Sequence, residues 1–178
     1  MHTSARDANL LGALGTVLSD ALADAAELAG GASPAAALVA LNGTSAGGTI
    51  DALAGRIGLS HSGAVRLVDR LVHAGLVERR RGADQRSAAL VLTPQGRRTA
   101  RRVLSRREAN MEILLRLLTD DQRTAAIELV EALLGAVGRE EGVEPRVCRL
   151  CDREACGRSR GLCPVAPPAR RGRPKAKH

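Results

Sequence analysis

Four cysteines, Cys148, Cys151, Cys156 and Cys163, fall within sixteen residues with the spacing C-x2-C-x4-C-x6-C. Few apolar residues surround them, so they are not core-filling side chains. Thiolates this close repel one another unless positive charge compensates. Arg146, Arg149, Arg153, Arg158 and Arg160 provide such charge and are expected to lower the thiol pKa values.

Several chemistries fit this spacing. One zinc ion held tetrahedrally by the four thiolates would staple a segment too short to fold by itself. The first two gaps resemble a zinc knuckle, although a knuckle has a His as its third ligand and a shorter last gap. An iron–sulfur cluster takes the same four thiolates. Pro164, directly after the last cysteine, resembles ferredoxin-type segments, although the spacing is not a ferredoxin's. A thiol–disulfide switch would use the Cys148-x2-Cys151 pair. The plain alternative is a disordered tail with thiols that do nothing together. Zinc is the first expectation and a cluster the second. With a cluster, oxidation or nitric oxide becomes a natural effector; with zinc, the tail is a structural cap.

The second chemistry in the chain is cationic. Among 178 residues, 27 Lys and Arg stand against 19 Asp and Glu, a formal charge of +8. Such an excess points to a polyanionic partner. No Phe, Tyr or Trp is present. An RNA-recognition sheet, an oligonucleotide-stacking barrel and an aromatic cage all need rings and are excluded. The four His, at positions 2, 61, 73 and 178, make no helical ligand pair, and no Gly-rich phosphate loop occurs. The chain is therefore not expected to be an enzyme. A thiol oxidoreductase is the remaining enzymatic alternative, and no thioredoxin-like strand–helix pattern surrounds the cysteines.

Periodicity indicates the elements that must position these groups. Leu10, Leu11, Leu14, Val17, Leu18, Ala21, Leu22, Ala25 and Leu28 form an amphipathic helical stripe that Gly30 and Gly31 stop. Ser33 and Pro34 predict the cap and first position of a second helix, ending at Asn42-Gly43. Thr49 caps a short helix with Ile50, Leu53, Ala54 and Ile57, which Gly58 breaks. Ser60 caps the next, whose inward positions are Ala64, Val65, Leu67, Val68, Leu71 and Val72, with Gly75 just beyond its end. Stretches 76–80 and 88–92 read as a hairpin around a turn holding Gly82, Asp84 and Gln85. Thr93 and Pro94 start a basic helix running to about residue 118, with Arg97, Arg98, Arg101, Arg102, Arg106 and Arg107. Thr119 or Asp120 caps a last helix bearing Ala126, Ile127, Leu129, Val130, Leu133, Leu134 and Val137.

Residues 49–75 have the layout of a helix-turn-helix, in which the first helix braces a second that lies in a major groove. The second offers Ser60, His61, Ser62, Gly63, Arg66 and Arg70 to DNA. The hairpin carries Arg79, Arg80, Arg81 and Arg86, a basic wing placed for the adjacent minor groove.

The run IDALAGRIGLSHSGAVRLVDRLVHAGLVERRRGADQRSAALVLTPQGRRTA, residues 50–100, resembles the winged helix-turn-helix core of MarR-type transcription regulators. The resemblance extends to the helical layout over roughly residues 8–138. It implies that Asp84 and Arg86 support the wing and touch DNA, with Ser87 beside them, and that N- and C-terminal helices interlock two subunits. Members often bind small phenolic or aromatic acids. This chain has no ring to stack on one, which leaves an arginine-lined pocket for an anion. The first strand of the wing sheet, implied near residues 44–49, is Gly-rich and expected barely to form.

The closing PARRGRPKAKH contains Arg171-Gly172-Arg173-Pro174, which resembles an AT-hook. Arg171 and Arg173 would lie along a minor groove, or the tail would tether electrostatically. The expected fold is mainly α with a small β-wing. Residues 4–42 and 94–138 are expected to be dimerisation helices, 43–93 the DNA-binding domain, 145–165 a metal or redox module, and 166–178 a basic disordered tail. The expected protein is a cytoplasmic homodimeric regulator, a repressor, reading a palindrome in double-stranded DNA; no run of residues suggests a membrane span. The alternative is a sequence-indifferent architectural DNA binder.

Overall fold

The computed structural model describes residues 4–44, 48–81, 88–140 and 147–165. The chain order is α1 (Ala5–Glu27), α2 (Ala32–Asn42), α3 (Ile50–Ile57), α4 (His61–His73), β1 (Val77–Arg81), β2 (Ala88–Leu92), α5 (Pro94–Leu115) and α6 (Asp120–Val137). Two 3₁₀ turns, Cys148–Leu150 and Arg158–Arg160, follow. The fold is mainly helical with a small antiparallel sheet, as the sequence predicts.

Local chemistry sets most helix starts. Thr49, Ser60, Thr93 and Thr119 each accept a hydrogen bond from the backbone N–H three residues on, satisfying a donor that the first helical turn leaves open. Thr119, not Asp120, is the cap of α6, and the Gln122 side chain returns the bond to its backbone N–H at 3.0 Å. The second helix departs from expectation. It begins at Ala32, not after Ser33, because Gly31 at φ +108° turns the chain into the helix without a side-chain cap. α5 ends at Leu115, three residues early, in tighter turns around Arg116 and Leu117.

α2 is the central element. Every residue of 35–41 is buried, as befits a helix apolar on all sides. Its alanines let neighbouring helices approach closely, which substitutes for the bulk of missing aromatic rings. One cluster joins Leu38 and Leu41 of α2 to Leu53, Leu67, Val68, Leu71, Val77, Leu90, Leu92 and Ala100. A second joins Ala26, Ala35, Val39 and Val103, with Leu150 from the cysteine segment packed against it. α1 is tied to α5 by Asn110, whose Nδ2 donates to the Ala21 carbonyl at 2.8 Å and to Asp24 at 2.9 Å.

The strands pair with Val77 opposite Leu92 and Arg79 opposite Leu90. Of the expected third strand, the described residues show one bridge, Gly48 with Leu90; residues 45–47 lie outside them. α5 starts hard against the end of the helix-turn-helix. Thr93 Oγ1 donates to the Gly75 carbonyl at 2.7 Å, and the Thr93 N–H to Leu76 at 3.1 Å.

α6 has no buried residue. Its Leu129, Val130, Leu133 and Val137 are exposed, as are Leu10, Leu11, Leu14 and Val17 of α1. Among the described residues, no helix is long and apolar enough to cross a membrane.

Candidate nucleic-acid interface

α3 and α4 are joined by a turn in which Gly58 takes φ +72°, a left-handed conformation that costs glycine little. Ala64, Leu67, Val68 and Leu71 of α4 are buried. The helical period then places Ser62, Arg66, Asp69, Arg70 and His73 on the opposite face, and all five are exposed. Val65 is only half-buried and Val72 is exposed, so the inward stripe is narrower than the sequence suggests.

The Ser60 hydroxyl caps the helix, accepting from the Gly63 N–H at 3.2 Å, and lies 3.3 Å from Ser62 Oγ. A Cβ at Gly63 would come 3.2 Å from that Oγ. Gly63 therefore keeps room for the cap as well as for a close backbone approach.

Two side-chain contacts escape sequence reasoning. His61 Nδ1 lies 2.6 Å from Asp51 Oδ1, linking the first turn of α4 to the first turn of α3. Arg79 Nη2 lies 2.8 Å from Asp69 Oδ1. Strand alternation puts Arg79 on the same sheet face as buried Val77, which faces α4. Arg80 projects from the other face and pairs with Glu78. Each pair is largely exposed and worth under about 1 kcal/mol in stability. Their effect is on orientation: Asp69 holds the wing strand's arginine along the exposed face of α4. Arg81 belongs to β1, but its side chain lies outside the described residues. So do Asp84, Arg86, Ser87, Arg171 and Arg173.

No protein-family model matches the chain, and no curated protein matches it. Solved structures do. YusO from Bacillus subtilis is 25% identical, with a TM-score of 0.63, over 74% of this chain and 97% of that one. The MarR family protein Rv2887 of Mycobacterium tuberculosis is 25% identical, with a TM-score of 0.57, over 70% of this chain and 91% of that one. The chain has the winged helix-turn-helix fold of MarR-type proteins. A transcriptional regulator of the MarR family from Rhodococcus sp. RHA1 shares this fold, at 23% identity and a TM-score of 0.56, over 74% of this chain and 97% of that one. Rv2887 in complex with DNA is also similar, at 22% identity and a TM-score of 0.56, over 74% of this chain and 98% of that one.

Beyond the six MarR-type helices, the cysteine segment folds back onto the body. Leu150 inserts between α2 and α5, beside Val39 and Val103. At the far end, Val165 crosses α6 so closely that a Cβ at Gly138 would sit 2.8 Å from its Cα. Within the segment, the Cys151 N–H donates to the Cys148 carbonyl at 3.2 Å. Asp152 Oδ1 accepts from the Glu154 and Ala155 N–H groups at 2.9 and 3.1 Å. Cys163 is buried, and Cys148, Cys151 and Cys156 are half-buried.

The Cys156 thiol lies near those of Cys163 and Cys151. Its pKa is pushed up to about 12, first by burial and then by these neighbouring sulfurs. This reverses the expectation that the surrounding arginines would lower it, because desolvation and sulfur neighbours outweigh them. The thiols are near one another but not gathered as a ready metal cage among the described residues. The segment also walls a cavity of about 1090 Å³ whose opposite side includes Val91, Arg97 and Arg101.

Proposed function

We propose that this MarR-type chain is a sequence-specific DNA-binding transcription regulator that acts on a palindromic operator as a homodimer. The observation carrying this reading is the exposed face of α4, where Arg66 and Arg70 stand one turn apart on a helix braced by α3. An α-helix of this kind fits a major groove, and arginine there reads guanine edges or grips phosphate. Ser60, His61, Ser62 and Gly63 are its leading residues, placed for backbone and phosphate contact. Arg79, Arg80 and Arg81 begin the wing, and Asp84, Arg86 and Ser87 would complete its minor-groove contact. The basic tail with Arg171 and Arg173 would add salt-sensitive affinity. The DNA complex of a similar regulator supports the reading.

The apolar faces of α1 and α6 support a dimer, whose two-fold axis calls for two half-sites about one helical turn apart. On an operator that overlaps a promoter such a dimer would exclude polymerase and act as a repressor, in the cytoplasm. Metal or redox control through the cysteines would set when the site is occupied.

Binding to an operator selected from genomic DNA, compared with random DNA at one salt concentration, tests the reading. A preference of about 10³-fold or more is expected. Arg66→Ala and Arg70→Ala should each weaken operator binding by about 1–3 kcal/mol if they read bases. A preference near unity would make the protein an architectural binder and overturn the regulator reading.

A further inference from the structure

We propose that Cys148, Cys151, Cys156 and Cys163 hold one thiolate-bound metal centre, zinc in the first instance, that clasps the DNA-binding lobe to the helical body. The metal half of this proposal stands by itself, and its regulatory half rests on the DNA-binding reading above.

The segment is placed as a clasp would be. Its first turn, Cys148–Leu150, packs on α2 and reaches α3, the bracing helix of the helix-turn-helix. Its last residues lie on the C-terminal turn of α6. Between them, Cys151 and Asp152 face Arg97 and Arg101 of α5 across the cavity that also touches β2. One short stretch of chain therefore meets the helix-turn-helix, the wing strand's edge of the cavity and the last helix.

The segment's own composition does not explain why it folds so tightly. Cys163 and Val165 are its buried apolar groups, Leu150 and the other three cysteines are half-buried, and Leu162 is exposed. So little apolar burial is a weak counterweight to the entropy of ordering the chain. The thiols of Cys151, Cys156 and Cys163 lie near one another without forming a finished cage, and Cys148 sits one 3₁₀ turn from Cys151, whose N–H donates to the Cys148 carbonyl. Four sulfurs on so short a loop match the donor set that zinc and iron–sulfur clusters take. For zinc, each S–H bond gives its proton to water as a Zn–S bond forms. Four protons leave per ion, and the site becomes a dianion beside Arg149, Arg153 and Arg158.

Full-length protein purified without oxygen should contain either about one zinc per chain and no colour, or iron with sulfide and a brown absorption. The first result identifies an ion and the second a cluster, and both place metal at the four thiolates. Metal-stripped protein given cobalt(II) should develop thiolate-to-cobalt charge-transfer bands, and Cys156→Ser should abolish them. Circular dichroism of Cys156→Ser checks that the six helices persist. Protein with neither metal, no cobalt bands, and four thiols that react at once with a disulfide reagent would overturn the site.

For the clasp, operator affinity is compared before and after stripping. A change of roughly tenfold is expected, within the usual range of coupling between two sites. Metal bound with affinity unchanged would overturn the clasp while leaving the site. Failure to bind the operator in both states would be a failure of the regulator reading, not of the metal site.

Discussion

Gly96→Ala should lose about 3 kcal/mol of stability, at the upper end of ordinary overpacking costs. For a chain of this size that lowers the melting temperature by about 6–12 °C. The sign runs against helix propensity, since alanine inside a helix is normally better than glycine by about 0.5–1 kcal/mol. Gly96 sits in the first turn of α5, and a Cβ there would be 1.9 Å from the Leu76 carbonyl oxygen and 2.9 Å from its carbon. That carbonyl is backbone and cannot rotate aside. It is also held in place by the N–H of Thr93, the residue that caps the same helix through the Gly96 N–H. Relief of the clash therefore requires α5 to move away from the helix-turn-helix, which breaks the caps as well. Gly55→Ala is the control, because a Cβ at that position of α3 meets nothing within 4 Å. Thermal unfolding of both variants at one protein concentration decides the matter. Equal stability for the two would mean that the α4–α5 junction is looser than these distances require.

Gly96 also marks what sequence reasoning can reach. The starts of α3, α4, α5 and α6 were legible because Thr49, Ser60, Thr93 and Thr119 bond to N–H groups three residues away, inside any reading window. The buried stripe Ala64, Leu67, Val68 and Leu71 was legible for the same reason. The tight approach at Gly96 depends on Leu76, twenty residues earlier, and leaves no local trace. His61 with Asp51 and Arg79 with Asp69 are each ten residues apart, and only the docking of α3, α4 and β1 brings them together. The start of α2 was misplaced because Ser33 and Pro34 mimic a cap, whereas the positive φ of Gly31 had already begun the helix. The cysteine spacing announced a joint role for the four thiols. Its seat between α2 and α6 rests on Leu150, Val165 and Gly138, none of which carries a signal by itself. The rise of the Cys156 pKa follows from that burial and was hidden with it.

Leu133→Glu should convert the protein to a monomer and lower operator affinity by about 100-fold or more, the low end of what linking two binding units gives. Leu133 is 48% exposed on a helix with no buried residue, so the substitution removes nothing from the core of one chain. Helical content should accordingly stay the same. The effect arises only if α6 is covered by a second copy. Leu129, Val130, Leu133 and Val137 then meet an apolar surface, and Leu10, Leu14 and Val17 of α1 extend it. Burying each such side chain contributes about 1.5–3 kcal/mol, and a two-fold interface uses every one of them twice. Glutamate at 133 puts two carboxylates into that interface, each of which must be desolvated or break the contact. The monomer retains α4 with Arg66 and Arg70, so it should still bind a single half-site weakly, with a shallower dependence on salt. Light scattering and operator titration on the same sample separate the two effects. A dimer mass with unchanged operator affinity would remove α6 from the interface and leave its apolar face for another partner.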